Sequence, residues 1–294
     1  MESKSHGGSK PRRHGPLRGS DFLMRWSQGV WSERRIAEAI NSTGRFWAIA
    51  YGPSGVAPDQ QDLSDEYFGR LAQAEALGMK RPDLLVVRWA DIPRAEELVN
   101  GLGGPAELQF RHETELRPLL DLAVVGLECE NSLWRAERMP AYGKPLTLQR
   151  RTGRLGLAKS AVLPTVILKE QDRGPLLAWE AAHGIPIHIW QVFFDRAWGI
   201  SLQEACRLID EGAIAPTEQV FHAPSGATTR KVIYKIWYQL AYSVGGSASE
   251  PALMAHFIEE KNGKILPYVR FEGGSLHLSS EGIAALDRAA EQRP

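Results

Sequence analysis

The sequence predicts an α/β protein built on a mixed central sheet flanked by helices, with β-rich additions toward the C-terminus. Apolar strand-like segments alternate with segments of helical character, which is the pattern of a sheet covered by helices. Of the 294 residues, 43% are apolar and 24% are charged. This composition supports a large buried core and excludes a mostly disordered chain. No apolar run approaches the ~18 residues that cross a bilayer, so no membrane partner is expected.

Local patterns place the individual elements. Predicted strands lie in five apolar segments, at 46–58, 80–89, 123–134, 162–172 and 185–195. Predicted helices lie at 31–40, 64–78, 174–184 and 201–212, with a last one beginning at Ser280. The helix over 201–212 is the best marked, because Ser201 and Glu204 have the spacing of a capping box and Gly212 stands at its end. Residues 229–245 favour β structure, and a hairpin is predicted around 261–264.

The chain is expected to form one main domain with a tail. Residues 1–19 are rich in Gly, Ser, Pro and basic residues, which is typical of a disordered basic tail. Residues 20–245 form the predicted core, and residues 246–294 add a hairpin and a helix that pack on the same domain. The N-terminus has no apolar stretch of a secretory signal, and two cysteines fit a reducing compartment. A cytoplasmic protein is therefore expected.

Charge is balanced overall and segregated locally. Lys and Arg number 35, as do Asp and Glu. Residues 1–35 carry eight basic against three acidic residues, and residues 144–173 carry seven against two. Such segregation suits a protein whose basic segments contact a polyanion while a group of carboxylates holds cations. Solvated surface faces are the alternative interpretation of each basic segment.

Two acidic motifs lie at the ends of apolar strands. Arg81-Pro82-Asp83 directly precedes one strand, and Glu128-Cys129-Glu130 ends another. Residues two apart in a strand point to the same face, so Glu128 and Glu130 are expected to lie side by side and to raise each other's pKa. If the two strands pair, Asp83 joins Glu128 at one point. Hard oxygen ligands of this kind are those that Mg²⁺ prefers.

Together these motifs resemble the PD-(D/E)XK nuclease superfamily, particularly type II restriction endonucleases. The resemblance covers roughly residues 64–200. Asp83 matches the first carboxylate of the family pattern and Glu128 the second, while Glu130 stands where lysine is usual. That departure occurs in some restriction enzymes of the superfamily. The resemblance implies a nuclease-like core with DNA-binding insertions within residues 20–245.

The resemblance also implies a mechanism, which is metal-assisted hydrolysis of a phosphodiester. Asp83 and Glu128 would hold Mg²⁺, while Glu130 would position or deprotonate the attacking water or bind a second metal ion. Lys169 is a candidate for the missing lysine. If the strands that end at Glu130 and Lys169 are parallel neighbours, their ends meet at one edge and the lysine reaches the phosphate. A solvated lysine at a strand end is the alternative, and Gln191 occupies a similar edge.

Two basic segments, at 150–154 and 230–235, are candidates for DNA contact. They can bind phosphates or enter a groove, and the aromatic residues interleaved with the second segment can equally be core. The candidate DNA-binding residues are Arg150, Arg151, Arg154, Arg230, Lys231 and Lys235.

The function expected from these features is that of a Mg²⁺-dependent, sequence-specific endonuclease of double-stranded DNA, a type II restriction enzyme of a bacterium or archaeon. A palindromic site is cut most simply by a two-fold dimer, so a homodimer is expected. One alternative is a non-catalytic DNA-binding protein with a degraded nuclease fold. Another is a metal-dependent phosphoesterase that acts on small or RNA substrates. The sequence contains neither a P-loop motif nor zinc-ligand spacing.

Overall fold

The computed structural model describes residues 19–52, 70, 80–145, 162–222, 228–259 and 263–293. Its α-helices are α1 (Gly19–Asn41), α2 (Ile92–Gly101), α3 (Glu113–Leu120), α4 (Glu170–His183), α5 (Leu202–Asp210) and α6 (Ser280–Glu291). Its strands are β1 (Phe46–Ala50), β2 (Leu84–Arg88), β3 (Ala123–Asn131), β4 (Thr165–Lys169), β5 (Ile187–Val192), β6 (Arg196–Ser201), β7 (Pro216–His222), β8 (Thr228–Trp237), β9 (Tyr242–Ser249), β10 (Ala252–Glu259), β11 (Ile265–Glu272) and β12 (Ser275–Leu278).

A seven-stranded mixed sheet forms the centre of the protein, in the order β1-β2-β3-β5-β6-β9-β12. Within it β3 and β5 are parallel, and the other neighbouring strands are antiparallel. Helices cover both faces, and the C-terminal part of the chain is rich in strands. The predicted α/β class with a mixed central sheet and β-rich C-terminal additions is therefore confirmed at this level.

Two smaller sheets pack against the central one. One has the order β4-β8-β7 and the other is the hairpin of β10 and β11. The expectation that the strands ending at Glu130 and Lys169 are parallel neighbours is wrong, because β4 pairs with β8 and the parallel neighbour of β3 is β5. The burial of each strand explains this difference. β5 is buried at nearly every position, as a central parallel strand requires, whereas β4 alternates buried with half-buried residues.

The central sheet has a buried apolar core on each face. On one face α1 packs its apolar side chains, among them Trp31 and Ile36, against strand residues such as Leu127. On the other face α3, α4 and the sheet of β4 and β8 enclose a second core that includes Trp179 and Val166. None of the described helices is long and apolar enough to cross a membrane.

Several predicted boundaries differ from the observed ones. The helix predicted over 31–40 begins at Gly19 instead, and Ser32 lies inside it, where its hydroxyl donates to the Gly29 carbonyl at 2.8 Å. The earlier start follows from tertiary packing, because Leu23 is buried against β11. In contrast, α5 begins as predicted, with the Ser201 hydroxyl accepting from the Glu204 amide at 3.2 Å. The helix predicted over 64–78 and the tail through residue 18 lie outside the described residues, apart from Arg70.

Candidate metal centre

Asp83 is held where β2 begins, beside the acidic end of β3. The strands β2 and β3 pair antiparallel, with Leu84 opposite Leu127. The backbone carbonyl of Asp83 accepts from the Tyr51 amide at 2.8 Å, and its Oδ2 accepts from the Cys129 amide at 2.6 Å. The two acidic motifs therefore meet, because the Asp83 carboxylate is hydrogen-bonded to the backbone of Cys129, the residue between Glu128 and Glu130.

A half-buried ion pair between Arg81 and Glu113 anchors the segment that leads into Asp83. Arg81 Nε donates to Glu113 Oε1 at 2.6 Å, and Arg81 Nη2 donates to the Arg111 carbonyl at 2.6 Å. The Tyr51 hydroxyl donates to the same Glu113 carboxylate at 3.0 Å. These contacts fix the backbone on either side of residue 82 and so determine where Asp83 lies.

Three carboxylates converge beside this segment. One oxygen each of Glu128, Glu130 and Asp172 lie within 4.8 Å of one another. Glu128 and Glu130 come from β3, and Asp172 comes from the first turn of α4. Glu128 is only 5% exposed. Its Oε2 is buried without a hydrogen-bond donor among the described residues.

Two lysines from different elements enclose this cluster. Lys80 Nζ contacts Glu128 Oε1 and lies 3.4 Å from Asp172 Oδ2. Lys169 Nζ contacts Glu130 Oε1 and lies 3.8 Å from the same Asp172 oxygen. Lys169 thus comes close to Glu130, although its strand belongs to another sheet.

Gln191 connects the two sheets at this point. It stands beside Glu130 in the parallel pair of β3 and β5, and it is fully buried. Its Oε1 accepts from the Ile167 amide at 3.2 Å. This bond ties β4 to the central sheet two residues before Lys169, which explains how Lys169 comes to lie beside Glu130.

Burial and mutual repulsion raise the pKa values of two carboxylates. Burial is the largest cause for both, and it raises the pKa of Asp83 to about 7 and that of Glu128 to about 8. Neighbouring carboxylates add to each shift, and Lys80 opposes it. Burial alone would lower the pKa of Lys80 and Lys169, but the carboxylates around them outweigh it and raise both. The pKa of the buried Cys129 thiol is also raised, which disfavours a nucleophilic role.

The donor set fits a hard divalent cation. The carboxylates of Asp83, Glu128, Glu130 and Asp172 carry more negative charge than Lys80 and Lys169 neutralise. Burial and the neighbouring carboxylates raise the pKa values of Asp83 and Glu128, and the buried Glu128 Oε2, which has no donor among the described residues, is a candidate ligand atom. Asp83 is outside the group of three carboxylates, so its role as a metal ligand stays a prediction.

Sequence reasoning missed Lys80 and Asp172. Each lies three residues from a predicted site residue. Lys80 precedes Asp83, and Asp172 follows Lys169. The second spacing carried a usable signal, because residues three apart at a helix start face the same side. No comparable local signal points to Lys80.

The structure describes part of the predicted DNA-binding set. Along β8, Lys231, Ile233 and Lys235 are spaced two residues apart, so their side chains point to the same face. Ile233 is paired with Lys169 of β4. These three lysines therefore share one face of the β4-β8-β7 sheet. Arg230 projects from the other face, where its Nη1 lies 3.4 Å from Glu218 Oε1. The other three predicted residues, Arg150, Arg151 and Arg154, lie outside the described residues.

The aromatic residues of this segment belong to the core. Tyr234 and Trp237 are buried, and Tyr238 packs at the edge of the core and stacks on Tyr142. The interpretation of these aromatics as core residues is confirmed.

Comparisons with family models, with curated proteins and with solved structures found no match to this chain.

Proposed function

We propose that this protein is a Mg²⁺-dependent, sequence-specific endonuclease of double-stranded DNA, a type II restriction enzyme with a PD-(D/E)XK core. The observation that carries the proposal is the convergence of Glu128, Glu130 and Asp172 with two lysines. Hydrolysis of a phosphodiester needs both kinds of group, since carboxylates hold the metal ion and ammonium groups offset the charge of the phosphate.

The carboxylates have separable roles in this proposal. Glu128 and Asp172 would hold Mg²⁺ together with Asp83 or Glu130. When bound, the ion polarises the phosphodiester and lowers the pKa of a water ligand. Glu130 lies at the more exposed end of β3, where its carboxylate accepts a proton from the attacking water.

Lys169 takes the role that the family pattern gives to the lysine at the position of Glu130. Its ammonium group already lies at Glu130 and is about one-third exposed, so it can turn to a phosphate oxygen and stabilise the developing negative charge. Lys80 Nζ lies 3.4 Å from the same Asp172 oxygen that Lys169 approaches, and it supplies a second positive charge.

The face of the β4-β8-β7 sheet that bears Lys169 also bears Lys231 and Lys235. Phosphate contacts along this face would lead the DNA backbone toward the carboxylates. A homodimer would place two such sites on the two strands of a palindrome.

A plasmid digest tests the proposal directly. Purified protein with Mg²⁺ should convert plasmid DNA into discrete fragments. Bound but intact DNA would instead show a non-catalytic DNA-binding protein, and hydrolysis of a mononucleotide ester without cleavage of the plasmid would show a different phosphoesterase.

Site variants then test the assignment. Asp83→Ala and Glu128→Ala should each abolish cleavage while largely sparing DNA binding, and Glu97→Ala is a matched control because this carboxylate is exposed. If either site variant cuts at the wild-type rate, the site is misassigned. Lys169→Ala should reduce cleavage about 100-fold or more, as expected on removal of one stabilising group, and unchanged cleavage would remove Lys169 from the mechanism.

A further inference from the structure

Two adjacent large apolar side chains are exposed next to the carboxylates. Leu133 is 46% exposed and Trp134 is 51% exposed. They follow Glu130 by three and four residues, at the end of the strand that carries it. Single exposed apolar residues are ordinary, whereas contiguous ones often mark a contact surface.

The backbone that presents this pair is firmly held. The Ser132 amide donates to the Val192 carbonyl at 2.8 Å, and the Phe194 amide donates to the Trp134 carbonyl at 3.1 Å. The Ala136 amide donates to Asp195 Oδ1 at 2.7 Å. Side chains that are exposed on a fixed backbone lose little conformational freedom when they bind a partner.

The pair lies close in the chain to the proposed site of phosphodiester cleavage. At ~3.3 Å per residue, Trp134 lies within about 13 Å of Glu130 along the chain. That distance corresponds to about four base pairs at 3.4 Å each. Exposed Arg135, Glu137 and Arg138 follow directly. Arg135 is paired with Glu250, with its Nε 2.7 Å from Oε1, and Glu137 is paired with Arg196.

We propose that Leu133 and Trp134 form an apolar wedge that packs against the bases of the DNA substrate, within about four base pairs of the scissile phosphate. The inference rests on the proposed endonuclease function and deepens it by naming a second contact between protein and substrate. Indole rings stack on bases, and apolar wedges lodge between base steps and bend the duplex. Duplex DNA is the occupant that best fits, since the pair continues the strand that carries Glu130, where the proposed function places the scissile phosphate.

Trp134→Ala tests the wedge, and Trp89→Ala is its matched control. Trp89 is 50% exposed and follows β2 at the end remote from Asp83, about 20 Å away at ~3.3 Å per residue. Both variants carry Asp83→Ala to prevent cleavage. They are titrated with a duplex that spans the mapped wild-type cleavage site and contains 2-aminopurine near it.

The Trp134 variant should bind this duplex about tenfold more weakly than the Trp89 variant, as expected on loss of one stacking contact. It should also lose the rise in 2-aminopurine fluorescence, and Trp134→Phe should retain most of both signals. Equal affinity and equal fluorescence in the two alanine variants would overturn the wedge and leave the proposed function intact. Equal DNA affinity together with a changed oligomeric state would overturn it in favour of a contact between copies. Failure of the wild-type protein to cut any plasmid would overturn the proposed function and the wedge with it.

Discussion

The buried carboxylates should make the stability of the metal-free protein fall as the pH rises through neutrality. Glu128 has a folded-state pKa of about 8, above its usual value of 4.5, because it is buried beside other carboxylates. Between these two values the unfolded chain releases the proton while the folded protein retains it. Each pH unit in this range therefore costs ~1.36 kcal/mol of unfolding free energy.

From pH 6.5 to pH 8 the expected loss from Glu128 alone is about 2 kcal/mol. Asp83, whose folded pKa is about 7, adds a smaller loss at the lower end of this range. Urea unfolding at the two pH values, with and without Mg²⁺, measures the effect. Mg²⁺ should stabilise the protein more at pH 8 than at pH 6.5, because cation binding requires ionised carboxylates.

Glu128→Gln provides the control, since it keeps the shape of the side chain and cannot ionise. This variant should lose most of the pH dependence between 6.5 and 8 and much of the stabilisation by Mg²⁺. The reasoning is refuted if the wild-type protein has the same unfolding free energy at both pH values and responds equally to Mg²⁺ at both.

Three further predictions concern the scaffold of the site. Removing one member of the half-buried Arg81–Glu113 pair, as in Glu113→Gln, should lower the unfolding free energy by about 1–3 kcal/mol, and a double-mutant cycle with Arg81→Met should show coupling between the two residues. Gly126→Ala should cost about 1–3 kcal/mol in urea unfolding, since a Cβ there would lie 2.8 Å from Pro82 Cγ, and no loss would contradict this packing. Burial lowers the pKa of His188 to about 4, so stability should fall by about 1.5 kcal/mol as the pH drops from 6.5 to 5, and His188→Gln should remove that loss.

Local patterns were sufficient for much of the sheet and for the starts of α5 and α6, the second of which begins at Ser280 as predicted. The apolar segments at residues 84 and 123 became central strands, because runs of this kind bury both faces. Ser201 begins α5 because its hydroxyl caps the helix through a contact three residues away. Such features depend only on neighbouring residues, so the sequence alone determines them.

The composition of the candidate site depended on the tertiary structure. The alternation of side-chain direction along β3 placed Glu128 beside Glu130. The three-residue spacing from Lys169 indicated only that Asp172 faces the same side as that lysine, and nothing local indicated that Lys80 would join them. Lys169 reaches Glu130 through a separate sheet, held by the buried amide of Gln191. Which strands become neighbours is decided by how residues distant in the chain bury their apolar faces together, and that choice is made only when the whole core packs.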